Sequence, residues 1–126
     1  MKYRLRIDTD ISGYLEVKNG INFYSKDLYG WTSQPIEHNK KDACLELKDK
    51  KGNILFHGDM CLNTINDDMI ILVFNKKWYE VNHLTGDKKE LEVTLDVTKK
   101  LKRFDFLFNY PEKETLILNI EAINDI

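Results

Sequence analysis

The sequence has little cysteine. Cys44 and Cys61 are the two cysteines among its 126 residues. Two cysteines are too few for a disulfide scaffold, and a chain of this length can bury a hydrophobic core without covalent cross-links. We therefore expect reduced thiols and a cytoplasmic location.

Long apolar runs are missing as well. A helix that spans a bilayer needs about 20 consecutive apolar residues, and no stretch of the chain approaches that length. The N-terminal residues, MKYRLRIDTD, include basic side chains but lack the apolar segment of a secretory signal. These observations predict a protein without membrane segments.

The chain has no excess of basic charge. It contains 19 basic and 21 acidic residues, for a formal net charge of -2. Non-specific binding to nucleic acid depends mainly on neutralising phosphates, so the balance disfavours nucleic acid as a partner. The dense basic segment TKKLKR (98–103) can contact phosphate or an acidic partner, but the overall balance favours a solvated turn there.

Familiar catalytic motifs are absent. The sequence contains no G-x-x-x-x-G-K-[ST], no G-x-G-x-x-G and no H-E-x-x-H. Neither cysteine stands in a context that would lower a thiol pKa, although His38, His57 and His83 offer imaginable partners. Most carboxylates occupy the polar positions of alternating segments. We predict no catalytic residue, no cofactor and a protein that is not an enzyme.

The dominant pattern in the sequence is a two-residue alternation of apolar and polar side chains. It predicts strands with one buried and one wet face around 2–7, 90–97, 104–110 and 116–120. In the first of these, Tyr3, Leu5 and Ile7 form the predicted buried face, and Lys2, Arg4 and Arg6 the wet face. The segment MIILVF (69–74) is apolar throughout and predicts a central strand covered on both sides.

Turn signals separate these segments. Lys18-Asn19-Gly20 predicts a three-residue hairpin loop with Gly20 in the left-handed conformation and Val17 opposite Ile21. A loop at 50–52 places Leu47 opposite Leu55, and a further loop is expected at 111–115.

About nine to eleven short strands with little helix predict an antiparallel β-sandwich or closed β-barrel. We expect one β-rich domain over 1–126. The segment 25–42 is long and irregular, and it predicts either a functional loop or a hidden short element.

The segment DTDISGYLEVKNG (8–20) partly matches a calcium-binding loop. Asp8, Asp10, Ser12 and Gly13 fit its first, third, fifth and sixth positions. The twelfth position, which requires a bidentate glutamate, is Asn19. We therefore favour a turn, a strand and a second turn over a metal site.

The segment HGDMC (57–61) places His57, Asp59 and Cys61 on one face of a predicted strand, which suggests a zinc site. The expected hairpin register brings Cys44 near Gly58 and Asp59. Because no second ligand pair of zinc-site spacing exists, a buried structural role is favoured and no metal is predicted.

Aromatic residues provide the best candidate for binding. Trp78 and Tyr79 adjoin the central apolar strand and are expected in the core or in cross-strand pairs. Tyr29 and Trp31 flank Gly30 inside the irregular segment. They either fold back over one end of the core or form a recognition surface, and they are the predicted binding residues.

These observations favour a non-catalytic protein–protein interaction module that acts as a monomer or homodimer. A small inhibitor, an immunity-type protein or a phage accessory protein would suit them, and the Lys-, Asn- and Ile-rich composition indicates a bacterial or viral source. The first alternative is a small-ligand-binding β-barrel. The second is a metal-dependent binding protein or enzyme.

Overall fold

A computed structural model of the protein describes residues 1–106. This part of the chain forms ten β-strands and one short helix. They are β1 (Lys2–Ile7), β2 (Asp10–Lys18), β3 (Ile21–Ser25), β4 (Lys40–Lys48), β5 (Ile54–Phe56), β6 (Asp59–Asn63), β7 (Met69–Asn75), β8 (Lys77–Asn82), β9 (Lys88–Glu90), α1 (Leu95–Thr98) and β10 (Leu101–Phe106). The predicted all-β class is confirmed.

The strands form two antiparallel sheets of five strands each. The first sheet has the order β3-β2-β1-β4-β5, and the second has the order β10-β6-β7-β8-β9. The architecture is that of a β-sandwich, and the sheets do not close into a barrel. The closed-barrel alternative is therefore wrong for the described residues. The alternative function, a small-ligand-binding β-barrel, assumed such a closed barrel.

The apolar core draws on both sheets. Its buried cluster consists of Leu45, Leu55, Cys61, Ile70, Leu72, Leu91 and Leu101. β7 is the central strand of the second sheet, and its residues Ile70–Val73 are buried, as the continuous apolar segment predicted. Trp78 packs against the cluster and meets Phe74 edge-on, with ring centroids 5.2 Å apart.

The prediction for the faces of β1 is partly wrong. Arg4 and Arg6, expected in solvent, are buried, whereas Ile7 is 40% exposed. Arg4 points into the protein because carboxylates meet it there: Nε lies 3.1 Å from Asp42 Oδ2, and Nη1 lies 2.6 Å from Asp59 Oδ1. Alternation identifies the two faces of a strand but cannot tell a solvated arginine from a paired one.

Asp42 holds both arginines. Its Oδ2 accepts from Nε of Arg6 at 2.8 Å, and its Oδ1 accepts from Nη2 of Arg6 at 2.9 Å. Two parallel bonds of this kind between charged groups are among the stronger hydrogen bonds in proteins. Because Asp42 is on β4 and Asp59 is on β6, Arg4 connects the two sheets through buried ion pairs.

The hairpin at Asn19-Gly20 forms, but its register differs from the prediction by one residue. Lys18 pairs with Ile21 and Val17 pairs with Asn22, so the loop has two residues rather than three. Asn19 and Gly20 both have positive φ, 52° and 75°, as a type I′ turn requires. The one-residue shift exchanges the expected cross-strand neighbours.

The next hairpin has the predicted register at its tip, where Lys48 pairs with Ile54. The register then shifts, and Cys44 lies opposite Phe56 instead of near Gly58 and Asp59. Glu46 has a φ of 64° within this irregular stretch of β4. A β-bulge, which the alternating pattern does not reveal, accounts for the difference.

The predicted strand over 90–97 is wrong. β9 ends at Glu90, and Leu91 still donates to the Trp78 carbonyl at 2.9 Å before the chain leaves the sheet. Helical bonds then begin, with the Thr98 N–H donating to the Thr94 carbonyl at 3.1 Å. No helix in 1–106 is long and apolar enough to cross a membrane. The side chains of the predicted 104–110 face, the 111–115 loop and the 116–120 strand lie outside the described residues.

Replacing Asp42 by alanine would leave two buried arginines without their shared carboxylate. We expect the free energy of unfolding to fall by about 3–5 kcal/mol, as when one partner of a buried ion pair is removed. Urea denaturation followed by circular dichroism measures this change. Glu90→Ala is the control because Glu90 is 62% exposed in a surface pair with Lys77, and its expected change is within about 0.5 kcal/mol. Equal losses in the two variants would contradict this role for Asp42.

Candidate functional site

The segment between β3 and β4 is largely irregular, as predicted. One backbone bridge interrupts it: the Tyr24 N–H donates to the Thr32 carbonyl at 2.7 Å, and the Thr32 N–H donates to the Tyr24 carbonyl at 2.9 Å. This bridge is the hidden short element that the sequence allowed for. It closes 25–31 into a loop that projects from the edge strand β3.

Side chains fix the conformation of this loop from within. Asp27 Oδ1 accepts from the backbone N–H groups of Tyr29 at 2.9 Å and Gly30 at 3.1 Å. Ser25 Oγ accepts from the Leu28 N–H at 2.9 Å. Chiefly because the Tyr29 N–H bonds to it, the Asp27 carboxyl has a pKa below its ordinary value. The loop is therefore held in one shape while its outer surface remains in solvent.

A close approach of two segments anchors the rest of this stretch. A Cβ added to Gly13 would lie 2.7 Å from Cδ1 of Ile36 and 2.9 Å from the Ser25 carbonyl oxygen. Gly13, which matched the glycine of a calcium loop, thus has a packing role. Only a residue without a side chain allows Ile36 to lie against β2.

The two predicted binding residues have different environments. Tyr29 is 90% exposed and lies at the tip of the loop, whereas Trp31 is half-buried beside the Thr32 bridge. Tyr29 and Leu28 line a cleft of about 390 Å³, and Trp31 does not. Tyr29 is therefore the more exposed of the two residues and the one that borders this cleft.

We call this space the tyrosine cleft. The side chains that define it are Tyr14, Leu28, Tyr29, Lys48, Phe56 and Arg103. It brings the loop together with the β4–β5 hairpin and with β10. A second cleft of about 570 Å³ lies on the loop itself and is lined by residues from Tyr24 to Glu37.

Two neighbouring aromatic rings and cationic side chains shape the floor of the tyrosine cleft. The rings of Tyr14 and Phe56 have centroids 5.7 Å apart, and the buried guanidinium of Arg4 lies 5.2 Å from the Phe56 centroid. Arg103 Nε lies 3.6 Å from Asp59 Oδ2 and has no hydrogen-bond acceptor among the described residues. The cleft thus combines aromatic surface with cationic side chains.

The calcium candidates are not assembled into a site. Asp8 lies in the turn between β1 and β2, where its Oδ1 accepts from Asn39 Nδ2 at 2.9 Å and its N–H donates to Asn39 Oδ1 at 2.8 Å. Asp10 and Ser12 belong to β2. Within residues 1–106, no group of three His, Cys, Asp or Glu side chains is placed to hold a metal ion.

The HGDMC residues each have a separate partner. His57 Nδ1 accepts from the Phe74 N–H at 2.9 Å, Asp59 pairs with Arg4, and Cys61 is fully buried in the apolar cluster. Cys44 Sγ accepts from the Glu46 N–H at 3.2 Å. Burial raises the pKa of both thiols, so neither is a ready nucleophile at neutral pH.

Sequence reasoning missed most of the tyrosine cleft. Tyr14, Lys48, Phe56 and Arg103 come from four different strands and share no motif. Only their positions in the folded sheets bring them together with Tyr29. The one available signal was that Arg103 belongs to the dense basic segment at 98–103.

Comparisons with protein families, with curated proteins and with solved structures give no match to this chain. A sandwich fold by itself does not imply a function, because the same architecture supports many unrelated activities. The chemistry of particular residues, rather than the fold, therefore indicates the function.

His57 makes stability depend on pH. Loss of hydration lowers its pKa below the ordinary 6.5, although the nearby Asp42 charge acts in the opposite direction. The unfolded chain therefore gains a proton at a higher pH than the fold does, and stability declines as the pH falls below about 6.5. We expect the thermal midpoint to decrease between about pH 7 and about pH 5.

His57→Asn is the matching variant, because its amide oxygen can accept from the Phe74 N–H but does not titrate in this range. Its thermal midpoint should change less than the wild-type midpoint over the same pH values. Parallel pH profiles for the two proteins would show that His57 is not the group responsible.

Asp27 is expected to control the mobility of the loop. Asp27→Ala removes the acceptor for the Tyr29 and Gly30 N–H groups. Backbone order parameters from nitrogen-15 relaxation at these positions should fall from about 0.85 to about 0.6 or below. Thr85→Ala, at a distant turn where Thr85 Oγ1 accepts from the Asp87 N–H, is the control and should leave the loop unchanged. A rigid loop in Asp27→Ala would contradict the assignment.

Proposed function

We propose that this protein is a non-catalytic interaction module that binds a partner protein at the tyrosine cleft, with Tyr29 as the anchor. The observation that carries the proposal is an exposed aromatic side chain on a loop whose backbone is already fixed. Tyr29 is 90% exposed, and Asp27 and Ser25 hold the turn that presents it.

Binding through Tyr29 would have a small entropic cost. Tyrosine offers a large rigid contact surface with few rotatable bonds, which is why it is enriched at the centre of protein interfaces. A loop that is ordered before binding loses less conformational entropy when the partner arrives. An exposed tyrosine on a pre-formed loop is thus suited to recognition.

The surroundings of Tyr29 favour a macromolecular partner. A small ligand inside the tyrosine cleft would contact the cleft-lining surface and leave the outer face of this 90% exposed side chain in solvent. A partner protein can cover both the side chain and the cleft beside it. The adjacent aromatic floor of Tyr14 and Phe56 would extend the contact.

The roles of the reactive side chains support a non-catalytic function. The His57 imidazole accepts a backbone N–H, Asp59 neutralises Arg4, and Cys61 fills the core. Both cysteines are free and buried, which supports a reducing compartment such as the cytoplasm. We propose that the protein acts there as a monomer or homodimer.

Affinity capture from the native host with quantitative mass spectrometry tests the proposal. Wild type, Tyr29→Ala and Trp31→Ala are compared with Leu84→Ala, which removes a similarly exposed apolar side chain (83%) from a distant turn. We expect one partner that Tyr29→Ala depletes by about tenfold or more, as for an interface anchor. Leu84→Ala should retain it.

A partner that is retained by Tyr29→Ala and depleted by Trp31→Ala would move the site to Trp31 and contradict the proposal. A protein set that is the same for all four baits would contradict it as well. The melting temperature of each variant is measured first, so that a loss of capture is not confused with unfolding.

A further inference from the structure

Two lysine-rich segments that are far apart in the sequence meet in the fold. The tip of the β4–β5 hairpin, residues 49–53, docks against the start of β10. The Lys50 N–H donates to the Leu101 carbonyl at 2.8 Å, and the Arg103 N–H donates to Asp49 Oδ2 at 2.7 Å. The basic segment at 98–103, expected to be a solvated turn, instead runs from the end of α1 into β10 and lies beside a second basic segment.

Asp49 fixes this junction. It is 5% exposed, and its Oδ1 accepts from the N–H groups of Lys51 at 2.9 Å and Asn53 at 2.7 Å. Burial alone would raise the pKa of Asp49, but the bonds from Arg103 and Asn53 outweigh it and lower the pKa. The carboxylate therefore stays charged and holds the hairpin tip and β10 in a defined arrangement.

The junction concentrates positive charge. We call the five residues around it the basic corner: Lys48, Lys50, Lys51, Lys102 and Arg103. The charge of Lys51 is the main reason that the pKa of Lys102 lies below its ordinary value, and Lys50 adds to the effect. Among the side chains that the structure describes, no ion pair joins the four lysines to a carboxylate.

Mutual repulsion between neighbouring lysines works against folding. The lysines with ion pairs in the described part of the chain lie elsewhere: Lys18 pairs with Glu16, Lys77 with Glu90, and Lys89 with Glu80. At the basic corner the described carboxylates are buried, Asp59 against Arg103 and Asp49 at the junction, and neither forms an ion pair with the four lysines.

The basic corner borders the proposed binding site. Lys48 and Arg103 belong to it and also line the tyrosine cleft, together with Tyr29. The Arg103 side chain is 33% exposed, and its buried Nε lies 3.6 Å from Asp59 Oδ2 without forming a hydrogen bond in the described part of the chain. A carboxylate in the cleft would pair with this guanidinium and offset the charge of the lysines around it.

We infer that the partner presents a short acidic segment to the basic corner and places an apolar or aromatic side chain against Tyr29. This inference rests on the proposed function, because it names the chemistry of the partner at the same site. Complementary charge would speed the encounter and exclude basic partners, and Tyr29 would supply the apolar contact.

A protein segment fits these features better than a nucleic acid does. Proteins that bind single strands stack successive bases on several aromatic side chains. Of the aromatic side chains that the structure describes, Tyr29 alone is exposed. The net charge of -2 would also repel a long polyanion, whereas a few carboxylates need only the local positive charge.

Selection from a display library of random linear peptides tests the inference with purified protein. We expect the selected peptides to be enriched in Asp and Glu. The affinity of one synthetic peptide is then measured by fluorescence anisotropy for wild type and for the double variant Lys50→Glu/Lys102→Glu. The Kd should rise at least about tenfold in the variant, and wild-type binding should weaken with added salt.

Two further measurements separate loss of the site from loss of the fold. The double variant relieves repulsion and places a carboxylate at position 102 beside Lys51, so its thermal midpoint should equal or exceed that of wild type. The control Lys76→Glu/Lys88→Glu makes the same change in net charge at exposed positions of the second sheet and should leave the Kd within about twofold.

Several results would overturn the inference. Selected peptides without acidic enrichment would do so, as would an unchanged Kd in Lys50→Glu/Lys102→Glu. An equal loss of peptide affinity in the control Lys76→Glu/Lys88→Glu would do so too. Tighter binding of an oligothymidylate than of the peptides would also contradict it. Peptides that are lost in Tyr29→Ala but carry no acidic enrichment would overturn this inference alone and leave the proposed function standing. Failure to select any specific peptide counts against both.

Discussion

The guanidinium of Arg4 is the interaction on which the arrangement of the sheets depends. It lies between Asp42 of the first sheet and Asp59 of the second, and all three side chains are almost completely buried. A buried carboxylate without its cation would be strongly destabilising, so few relative placements of the sheets are tolerated. Apolar packing is compatible with many relative placements of the two sheets. Very few of those placements satisfy this set of directional charge pairs.

The same use of carboxylates recurs in the loops that build the site. Asp27 organises the turn that presents Tyr29, Asp49 joins the hairpin tip to β10, and Asp59 accepts the Phe56 N–H at 2.8 Å while it pairs with Arg4. Each carboxylate accepts hydrogen bonds from backbone N–H groups. The tyrosine cleft thus combines side chains from strands with a loop that the protein itself holds in place.

The sequence predicted the elements that depend on near neighbours. The Asn19-Gly20 hairpin and the buried strand β7 follow from adjacent residues, although the loop length was misjudged by one. The burial of Arg4 could not be predicted, because its partners lie 38 and 55 residues away. For the same reason the irregular loop with Tyr29 was recognised as a candidate, but the cleft beside it was not.

The buried ion pairs also constrain the order in which the protein can fold. β1 comes first in the chain, yet Arg4 is fully paired only after β4 and β6 have reached it. The β1–β3 meander can form early with its arginines hydrated, and the docking of the second sheet must then remove that water. Such long-range closure slows folding in β-rich proteins. The transition state for folding is therefore expected to lie at the step in which Arg4 exchanges water for Asp59.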